Sequence, residues 1–306
     1  MESVKIKAPA TVANLVCGFD VLGMCLQEPY DVLELTLLSE RKVVIEVVGD
    51  FALPLQPELN TAGVPLLEIV KSFPREIGFG LTIHKNIKPG SGLGSSAASA
   101  AGAVVAANYL LQDHYSTDQL IQFAMSGEKL VSGVKHADNV APCILGGITI
   151  IRSIFPLDIV SITAPPLYVA VVHPQIEIKT SDARQILKSE VQFKDAIKQW
   201  GNVAGLVAGF LKGDYGLIGR SLEDFLIEPS RSVLIPGYQD IKKKSLAAGA
   251  LGGGISGSGP SLFMLCKDEH TARDVEVVMQ VVYRAIGLEH YTYTTKLNYE
   301  GCSVIP

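Results

Sequence analysis

Alternation of apolar and polar residues predicts β-strands along the first third of the chain. Val4, Ile6 and Ala8 share one parity, and the later runs are rich in leucine and β-branched residues and end at turns. The last run, FGLTIH, leads into a segment dense in glycine. The predicted strands cover residues 4–8, 32–37, 43–48 and 79–83.

A helical pattern follows the glycines. Residues 95–111 are rich in alanine, contain no proline and form a run far longer than a strand of about 5 to 6 residues. Ser116, with a glutamine three residues later, has the pattern of a capping box. Leu120, Ala124 and Glu128 then follow at intervals of four. A second helix is therefore expected, with the Glu128 carboxylate on an apolar stripe.

The second half of the chain mixes helical and strand patterns, and we predict an α+β protein. Three prolines within 156–166 predict a hinge, which divides the chain into domains at 1–160 and 161–306. The elements expected beyond the hinge are strands at 168–172 and 262–266 and helices at 182–189, 194–211, 241–248 and 271–286.

Composition excludes several classes of protein. The net charge of −5 argues against a nucleic-acid partner bound through phosphate neutralisation. Five cysteines, odd in number and without a CxxC pair, indicate neither a disulfide framework nor a zinc site and suit a reducing cytoplasm. No stretch approaches about 18 uninterrupted strongly apolar residues, so no membrane partner is expected.

The glycine-rich stretch IKPGSGLGSSAA at 87–98 predicts an anion site. Main-chain N–H groups at a helix start attract anions, and glycines allow phosphate oxygens to come close. The stretch lacks the Gly-Lys-[Ser/Thr] of a Walker A loop, and glycines at 90, 92 and 94 fit the Rossmann pattern poorly. A glycine turn that caps an ordinary helix is the plain alternative.

This stretch resembles the signature of the GHMP kinases, a family of small-molecule kinases. The resemblance implies two lobes, an N-terminal one like ribosomal protein S5 domain 2 and a C-terminal ferredoxin-like one. It also implies ATP and Mg²⁺ as cofactors, with Ser96 and Glu128 as metal ligands. Taken alone, a carboxylate on an apolar stripe is more often a member of a buried ion pair or a sign of a misplaced helix phase, so the role of Glu128 depends on the loop. The implied nucleotide-binding residues are Lys88, Pro89, Gly90, Ser91, Gly92, Leu93, Gly94, Ser95, Ser96, Ala97 and Ala98.

Four further stretches resemble the homoserine kinases of this family. In APATVANLVCGFDVLG, the matching substrate contacts are Asn14 and Asp20. An aspartate can hold the substrate ammonium through a charge-assisted hydrogen bond. The alternative is that both residues are ordinary turn formers.

The stretch SGVKHADNVAPCILGG supplies His136 for the substrate carboxylate and Asn139 as the catalytic contact to the acceptor hydroxyl. Asn139 cannot act as a base, so the resemblance implies direct attack by the hydroxyl, with its proton passing to the γ-phosphate. Asp138 is expected to point elsewhere. A lone histidine such as His136 could also be structural.

The other two stretches supply arginines. KTSDARQIL carries Thr180 and Arg184, and EPSRSVLIPGY carries Arg231. Both guanidinium groups match positions that clamp the substrate carboxylate, a role that suits their bidentate geometry. Thr180 and Lys88 join Asn139 in the implied catalytic group. Arg184 could instead pair with Glu190 or face solvent.

A third glycine-rich motif, LGGGISGSGPS at 251–261, is expected to form a loop that supports the first glycine loop from the other lobe. Asn60 is a weaker candidate for contact with adenine.

The expected reaction is ATP-dependent phosphorylation of L-homoserine to O-phospho-L-homoserine in threonine biosynthesis, by a homodimer if the chain follows its relatives. Another GHMP kinase, such as mevalonate kinase, is the first alternative, although mevalonate has no ammonium for Asp20. A non-catalytic relative is the second, although Ser96 and Glu128 are intact.

Overall fold

The computed structural model describes residues 3–178 and 180–305 and confirms the α+β class. Within these residues the strands form a seven-stranded sheet and a four-stranded sheet. The strands are β1 Ser3–Ala13, β2 Leu22–Leu38, β3 Val43–Val48, β4 Gly78–His84, β5 Ile148–Ile154, β6 Leu157–Ile162, β7 Tyr168–Pro174, β8 Gly252–Ile255, β9 Leu262–Cys266, β10 His290–Lys296 and β11 Ser303–Ile305.

Within the described residues, the helices that cover these sheets confirm five of the six predicted ones closely, and four others were not predicted. The helices are α1 Gly63–Ser72, α2 Ser95–Leu110, α3 Thr117–Ser132, α4 Val140–Leu145, α5 Thr180–Gln185, α6 Phe193–Lys212, α7 Tyr215–Ser221, α8 Glu228–Arg231, α9 Tyr238–Ala247 and α10 Glu269–Ala285, with 3-10 turns at Pro57–Leu59 and Ser232–Leu234.

The first sheet has the order β11-β1-β2-β4-β3, and β5 pairs with β2 and β6 with β5. Strand β2 pairs with β4 through residues 32–38 and with β5 through residues 22–24. A bulge between Pro9 and Thr11 shifts the register of β1. Bulges redirect side chains, and Thr11, directly after this one, donates a hydrogen bond to Asn139, which lines the cavity described below.

Helix α2 lies directly on β1 and β2 because its residues are small. A Cβ at Gly102 would lie 2.6 Å from Leu33 Cδ1 and 2.9 Å from Ala8 Cβ. The alanines of this helix are almost fully buried. Close packing of this kind fixes the start of α2, and therefore the glycine loop before it.

The second sheet, β10-β7-β9-β8, is antiparallel and encloses a separate core with α9 and α10. The segment that follows β10 returns to the first sheet: β11 pairs with β1, and Gly147 donates its N–H to the carbonyl of Asn298, 2.6 Å away. The domain boundary at residue 160 stays a prediction.

Three predicted elements differ in the structure. Residues 157–162, predicted as hinge, form β6, because Leu157 and Ile159 pack on the first core while pairing with β5. The helix expected at 182–189 is the shorter α5. Within the predicted loop at 251–261, Gly252–Ile255 form the buried strand β8, which pairs with β9, and a side chain at Gly254 there would overlap the carboxyl of Glu228.

No helix among the residues described here is long and apolar enough to span a membrane.

Candidate active site

A cavity of about 410 Å³ lies between the two halves of the molecule. The first half contributes the β1–β2 loop, the 53–61 turn, the glycine loop, the end of α3 and residues 136–139. The second half contributes Arg184, Arg231 and the 257–258 turn. Most of the residues predicted for substrate, nucleotide and metal therefore face one space.

The glycine loop depends on backbone conformations that glycine adopts easily. Gly90, Gly92 and Gly94 have φ of 73°, 81° and 65°. A Cβ at Gly92 would lie 2.6 Å from the carbonyl oxygen of Ser256. Gly94 precedes α2 without a capping side chain, and the first turn of the helix lines the cavity at Ser95.

The predicted contact between the two glycine-rich stretches is confirmed. The Ser256 hydroxyl donates to the carbonyl of Gly92 at 2.7 Å, and the Ser261 N–H donates to the carbonyl of Ser91 at 3.2 Å. The glycine loop is thus held from both halves of the chain.

A buried ion pair lies beneath the loop. Lys85 donates from its ammonium to the Asp31 carboxylate, to the Ser95 carbonyl at 2.7 Å and to the Ser99 hydroxyl at 2.9 Å. The other oxygen of Asp31 accepts two main-chain N–H groups just before the loop. Burial lowers the pKa of Lys85, and Asp31 opposes that shift.

Lys85 also lines the cavity, and the sequence analysis missed it. A signal was present: Phe79, Leu81 and Ile83 point inward, and Lys85 continues their parity. A lysine at a buried position, directly before a phosphate-loop motif, calls for a partner or an anion.

Two of the predicted catalytic residues are not placed in the cavity by the described side chains. The Lys88 ammonium donates to the Gln175 side chain at 2.6 Å, outside the lining of the cavity. Thr180 begins α5, and its side chain lies outside the described residues. Their catalytic roles stay predictions.

Glu128 is almost fully buried beside the first turn of α2. Its Oε1 has no hydrogen-bond partner among the described residues. Burial raises the pKa of this carboxyl, while the Ser96 hydroxyl and Lys85 act in the opposite direction. The predicted capping box of Ser116 and Gln119 starts the helix that carries it.

The Glu128 carboxylate and the Ser96 hydroxyl do not make a complete metal site by themselves. Within residues 3–178 and 180–305, no three His, Cys, Asp or Glu side chains are grouped to hold a metal. One carboxylate and one hydroxyl do match the few protein ligands that Mg²⁺ takes beside phosphate oxygens and water. Glu128 and Ser96 therefore fit the ion.

Asn139 faces the glycine loop. Its Oδ1 accepts a hydrogen bond from the Thr11 hydroxyl at 2.7 Å, and a Cβ at Gly94 would lie 3.0 Å from the same oxygen. This bond orients the amide so that its nitrogen, a donor, is the group left for a ligand. Thr11 was not predicted, because its position depends on the bulge in β1.

Asp138 was expected to point away from the substrate but lines the cavity instead. The reason is local: residues 138 and 139 form a turn before α4, so neighbouring side chains can reach the same space. Burial, reinforced by Asp20 and Glu128, raises the pKa of Asp138 to about 7.

The β1–β2 loop presents Asp20 to the second half of the molecule. Asn14 and Asp20 both have positive φ, 73° and 58°, which asparagine and aspartate tolerate better than most residues. Asn14 accepts the Asp20 N–H at 3.1 Å and donates to the Gly257 carbonyl at 2.9 Å. Its amide thus holds the loop in shape.

Asp20 contacts two of the three residues predicted to bind the substrate carboxylate. Arg184 Nη2 lies 2.7 Å from Asp20 Oδ2, and His136 Nδ1 lies 3.7 Å from Oδ1. The partner of Arg184 is therefore Asp20 and not Glu190, and Arg184 does not simply face solvent. Burial lowers the pKa of His136, Asp20 raises it, and Arg184 and Arg231 lower it further.

Arg231 is held rigidly. Its Nε donates to the Ala183 carbonyl at 3.0 Å and its Nη1 to the Gly257 carbonyl at 2.9 Å. The Phe19 ring centroid lies 5.0 Å from the Arg231 guanidinium and 5.6 Å from that of Arg184. Burial lowers the pKa of Arg231, and Asp20 acts against that shift.

One helical turn before Arg231, the buried Glu228 fixes α8 to its surroundings. Its carboxylate accepts the Ile255 N–H at 2.9 Å, the Tyr238 hydroxyl and the Lys242 ammonium at 2.8 Å. These bonds join α8 to β8 and α9. The sequence gives little sign of this role, because the three partners lie 10, 14 and 27 residues further along the chain.

The other end of the cavity is apolar. Leu53, Leu59, Leu130 and Val131 line it. Asn60, the weaker candidate for adenine, uses its amide to shape this turn: it donates to the Pro54 carbonyl at 2.7 Å and accepts two main-chain N–H groups.

Comparison with known proteins gives consistent matches. The family models described as GHMP kinases N terminal domain and GHMP kinases C terminal match residues 63–147 and 206–284. A homoserine kinase of Chloroherpeton thalassium is 42% identical over 100% of both chains. One of Chlorobium phaeobacteroides is 45% identical over 92% of both.

Solved structures agree. The crystal structure of homoserine kinase from Cytophaga hutchinsonii has a TM-score of 0.95 and 45% identity, over 100% of this chain and 98% of that one. The L. major mevalonate kinase with R-mevalonate has a TM-score of 0.74 at 16% identity, over 97% and 96% of the two chains, a likeness of fold alone.

Proposed function

This chain belongs to the GHMP kinase family and is a homoserine kinase, and from that premise we propose how its cavity transfers a phosphoryl group from ATP to L-homoserine. The product is O-phospho-L-homoserine, in threonine biosynthesis. One observation carries the proposal: an anion-binding helix start, Asn139 and an arginine cluster line a single cavity.

ATP would lie along the first half of the cavity. The main-chain N–H groups of the glycine loop and the start of α2 hold the triphosphate, with Lys85 as a nearby cation. The apolar end lined by Leu53, Leu59 and Val131 takes the adenine ring. Asn60 supports this end through its turn.

Ser96 and Glu128 would hold Mg²⁺, which supplies charge neutralisation on the phosphates when bound. The unpartnered oxygen of Glu128 supports this assignment. A cation there also offsets the burial that raises the pKa of the carboxyl.

L-homoserine would bind in the second half of the cavity. Arg184 and Arg231, with His136, take its carboxylate, and Asp20 takes its ammonium. The Asn139 amide nitrogen positions the hydroxyl toward the γ-phosphate. Because asparagine cannot act as a base, the hydroxyl proton passes to the transferred phosphate, and catalysis is mainly positioning and electrostatic stabilisation.

Coupled ADP release with and without acceptor tests this proposal. We expect rapid turnover with L-homoserine and little with mevalonate or a sugar alcohol, because neither offers an ammonium and a carboxylate together. Turnover that is equal with mevalonate would contradict the assignment of Asp20, and nucleotide binding without turnover would contradict the proposed chemistry.

Two further proposals concern the whole protein. All five cysteines are free thiols, which suits the reducing cytoplasm. We also propose a homodimer, and light scattering coupled to gel filtration would measure its mass directly.

A further inference from the structure

In the structure, the groups proposed to read the two charges of the substrate are paired with each other. Arg184 Nη2 and Asp20 Oδ2 are 2.7 Å apart and connect the two halves of the molecule across the cavity. His136 adds a longer contact of 3.7 Å to the same carboxylate. A ligand carboxylate that takes the Nη2 group of Arg184 must therefore compete with Asp20.

Asp20 has little freedom to move out of the way. Its loop includes positive φ at Asn14, Leu15, Val16 and Asp20 itself. The Asn14 amide ties the Asp20 N–H to the Gly257 carbonyl. The backbone of the loop is therefore held in place beside the arginines, while the Asp20 side chain itself is 37% exposed.

Arg231 can offer a ligand carboxylate its remaining N–H groups, but it is less free than Arg184 to change partners. Two of its guanidinium N–H groups are already bonded to the Ala183 and Gly257 carbonyls. Phe19 lies against both guanidinium groups and limits where they can move. The Asp20–Arg184 pair, with side chains 37% and 35% exposed, is the part of the cluster that can exchange partners.

We propose that the Asp20–Arg184 pair selects for zwitterions by partner exchange, an inference that rests on the proposed substrate. The carboxylate of homoserine replaces Asp20 on Arg184, and its ammonium replaces Arg184 on Asp20. Every charge keeps a partner. An acceptor with a carboxylate alone leaves Asp20 unpaired next to a second negative charge, and one with an ammonium alone leaves Arg184 unpaired.

The test compares L-homoserine with 4-hydroxybutyrate, which lacks only the ammonium. In D20N the side chain keeps its size, and asparagine tolerates positive φ, so the loop can keep its shape. We expect D20N to weaken homoserine binding on the order of tenfold or more, and to tighten 4-hydroxybutyrate binding by about tenfold, because Arg184 loses its charged partner and the ligand carboxylate no longer meets a second negative charge.

The reciprocal variant uses the other half of the pair. In R184M, 3-amino-1-propanol, which lacks only the carboxylate, should bind about tenfold more tightly because Asp20 is freed. Asp158 pairs with Arg152 on the surface, so D158N is the matched control and should change neither affinity. Binding is measured by calorimetry, with melting temperatures to verify folding.

The outcomes separate this inference from the proposed function. If the wild-type chain does not phosphorylate homoserine, the proposed function fails. If it does, but D20N weakens both homoserine and 4-hydroxybutyrate and R184M fails to improve 3-amino-1-propanol, partner exchange is overturned and Asp20 is an ordinary substrate contact.

Discussion

The Ser256 hydroxyl donates a hydrogen bond to the main-chain carbonyl of Gly92, 2.7 Å away, and joins the segment after β8 to the middle of the glycine loop. A loop that binds phosphates through main-chain N–H groups must keep its shape without a ligand. Here that shape is maintained from a position 164 residues further along the chain.

Ser256→Ala should therefore impair nucleotide binding. Removing one hydrogen bond costs about 1 kcal/mol, so we expect the KM for ATP to rise by roughly fivefold. The KM for homoserine should change much less. Steady-state kinetics measures both, and Ser39→Ala, at an exposed turn, is the control. Unchanged KM for ATP would show that the loop holds itself.

Glu128→Gln should separate stability from catalysis. Burial raises the pKa of Glu128, so the ionised side chain destabilises the folded state as pH rises above its unfolded pKa. The neutral variant should therefore melt at an equal or higher temperature at pH 8. Its kcat should fall about a hundredfold or more as a metal ligand is lost.

Calorimetry in the presence of Mg²⁺ and an ATP analogue provides the second readout. Wild type should be stabilised more by Mg²⁺ with the nucleotide than by nucleotide alone, and Glu128→Gln should lose that difference. The exposed Glu68→Gln should keep it. A variant that retains the full Mg²⁺ effect argues against Glu128 as a ligand.

The raised pKa of Asp138 predicts that the stability of the folded protein depends on pH. Its pKa is raised from 3.8 to about 7 in the folded protein, so between these values the folded state binds a proton that the unfolded state has lost. Stability must then fall as pH rises through this window. Relative to Asp138→Asn, wild type should lose about 2 to 4 kcal/mol between pH 4 and 8.

Urea titrations of both proteins across this pH range measure the difference. Comparing the two proteins removes contributions from the other ionisable groups, provided that the variant leaves them in place. Parallel stability profiles would mean that the Asp138 carboxyl titrates as in the unfolded chain.

Arg231→Leu should raise the KM for homoserine on the order of a hundredfold and leave that for ATP within about twofold. Arg231→Lys should recover little, since an ammonium cannot bond the Ala183 and Gly257 carbonyls and still present a fork to the ligand. Equal changes in both KM values would contradict the carboxylate clamp.

Glu228→Gln should have a milder form of the effect expected for Arg231→Leu. Weakening the bonds to Tyr238 and Lys242 loosens α8, and Arg231 lies on this short helix. We expect the KM for homoserine to rise by about tenfold with a smaller change for ATP. Glu269→Gln, which removes a surface pair with Arg273, is the control. A loss of melting temperature with an unchanged KM would reduce Glu228 to a structural role.

The elements that the sequence predicts well are those set by local chemistry. The strand β3 is recognised by its β-branched run, and α3 by the reciprocal bonds of Ser116 and Gln119. The glycine loop is recognisable because three positive φ values demand glycine.

The parts that sequence analysis misses depend on distant partners. β8 is a strand because Glu228 and β9 pack against glycines that carry no pattern of their own. The position of Lys85 depends on Asp31, 54 residues away, and the state of Arg184 depends on Asp20, 164 residues away. Local periodicity carries no record of such pairings.

The pairing of β11 with β1 also has a consequence for how the chain folds while it is being synthesised. Lys5, Ile6 and Lys7 find their partners on that side only at Ser303 to Ile305. Ribosomes add about 5 to 20 residues per second, so the outer edge of β1 waits roughly 15 to 60 s for its neighbour. Throughout that interval this edge of β1 has unpaired main-chain N–H and C=O groups, which could pair with another chain.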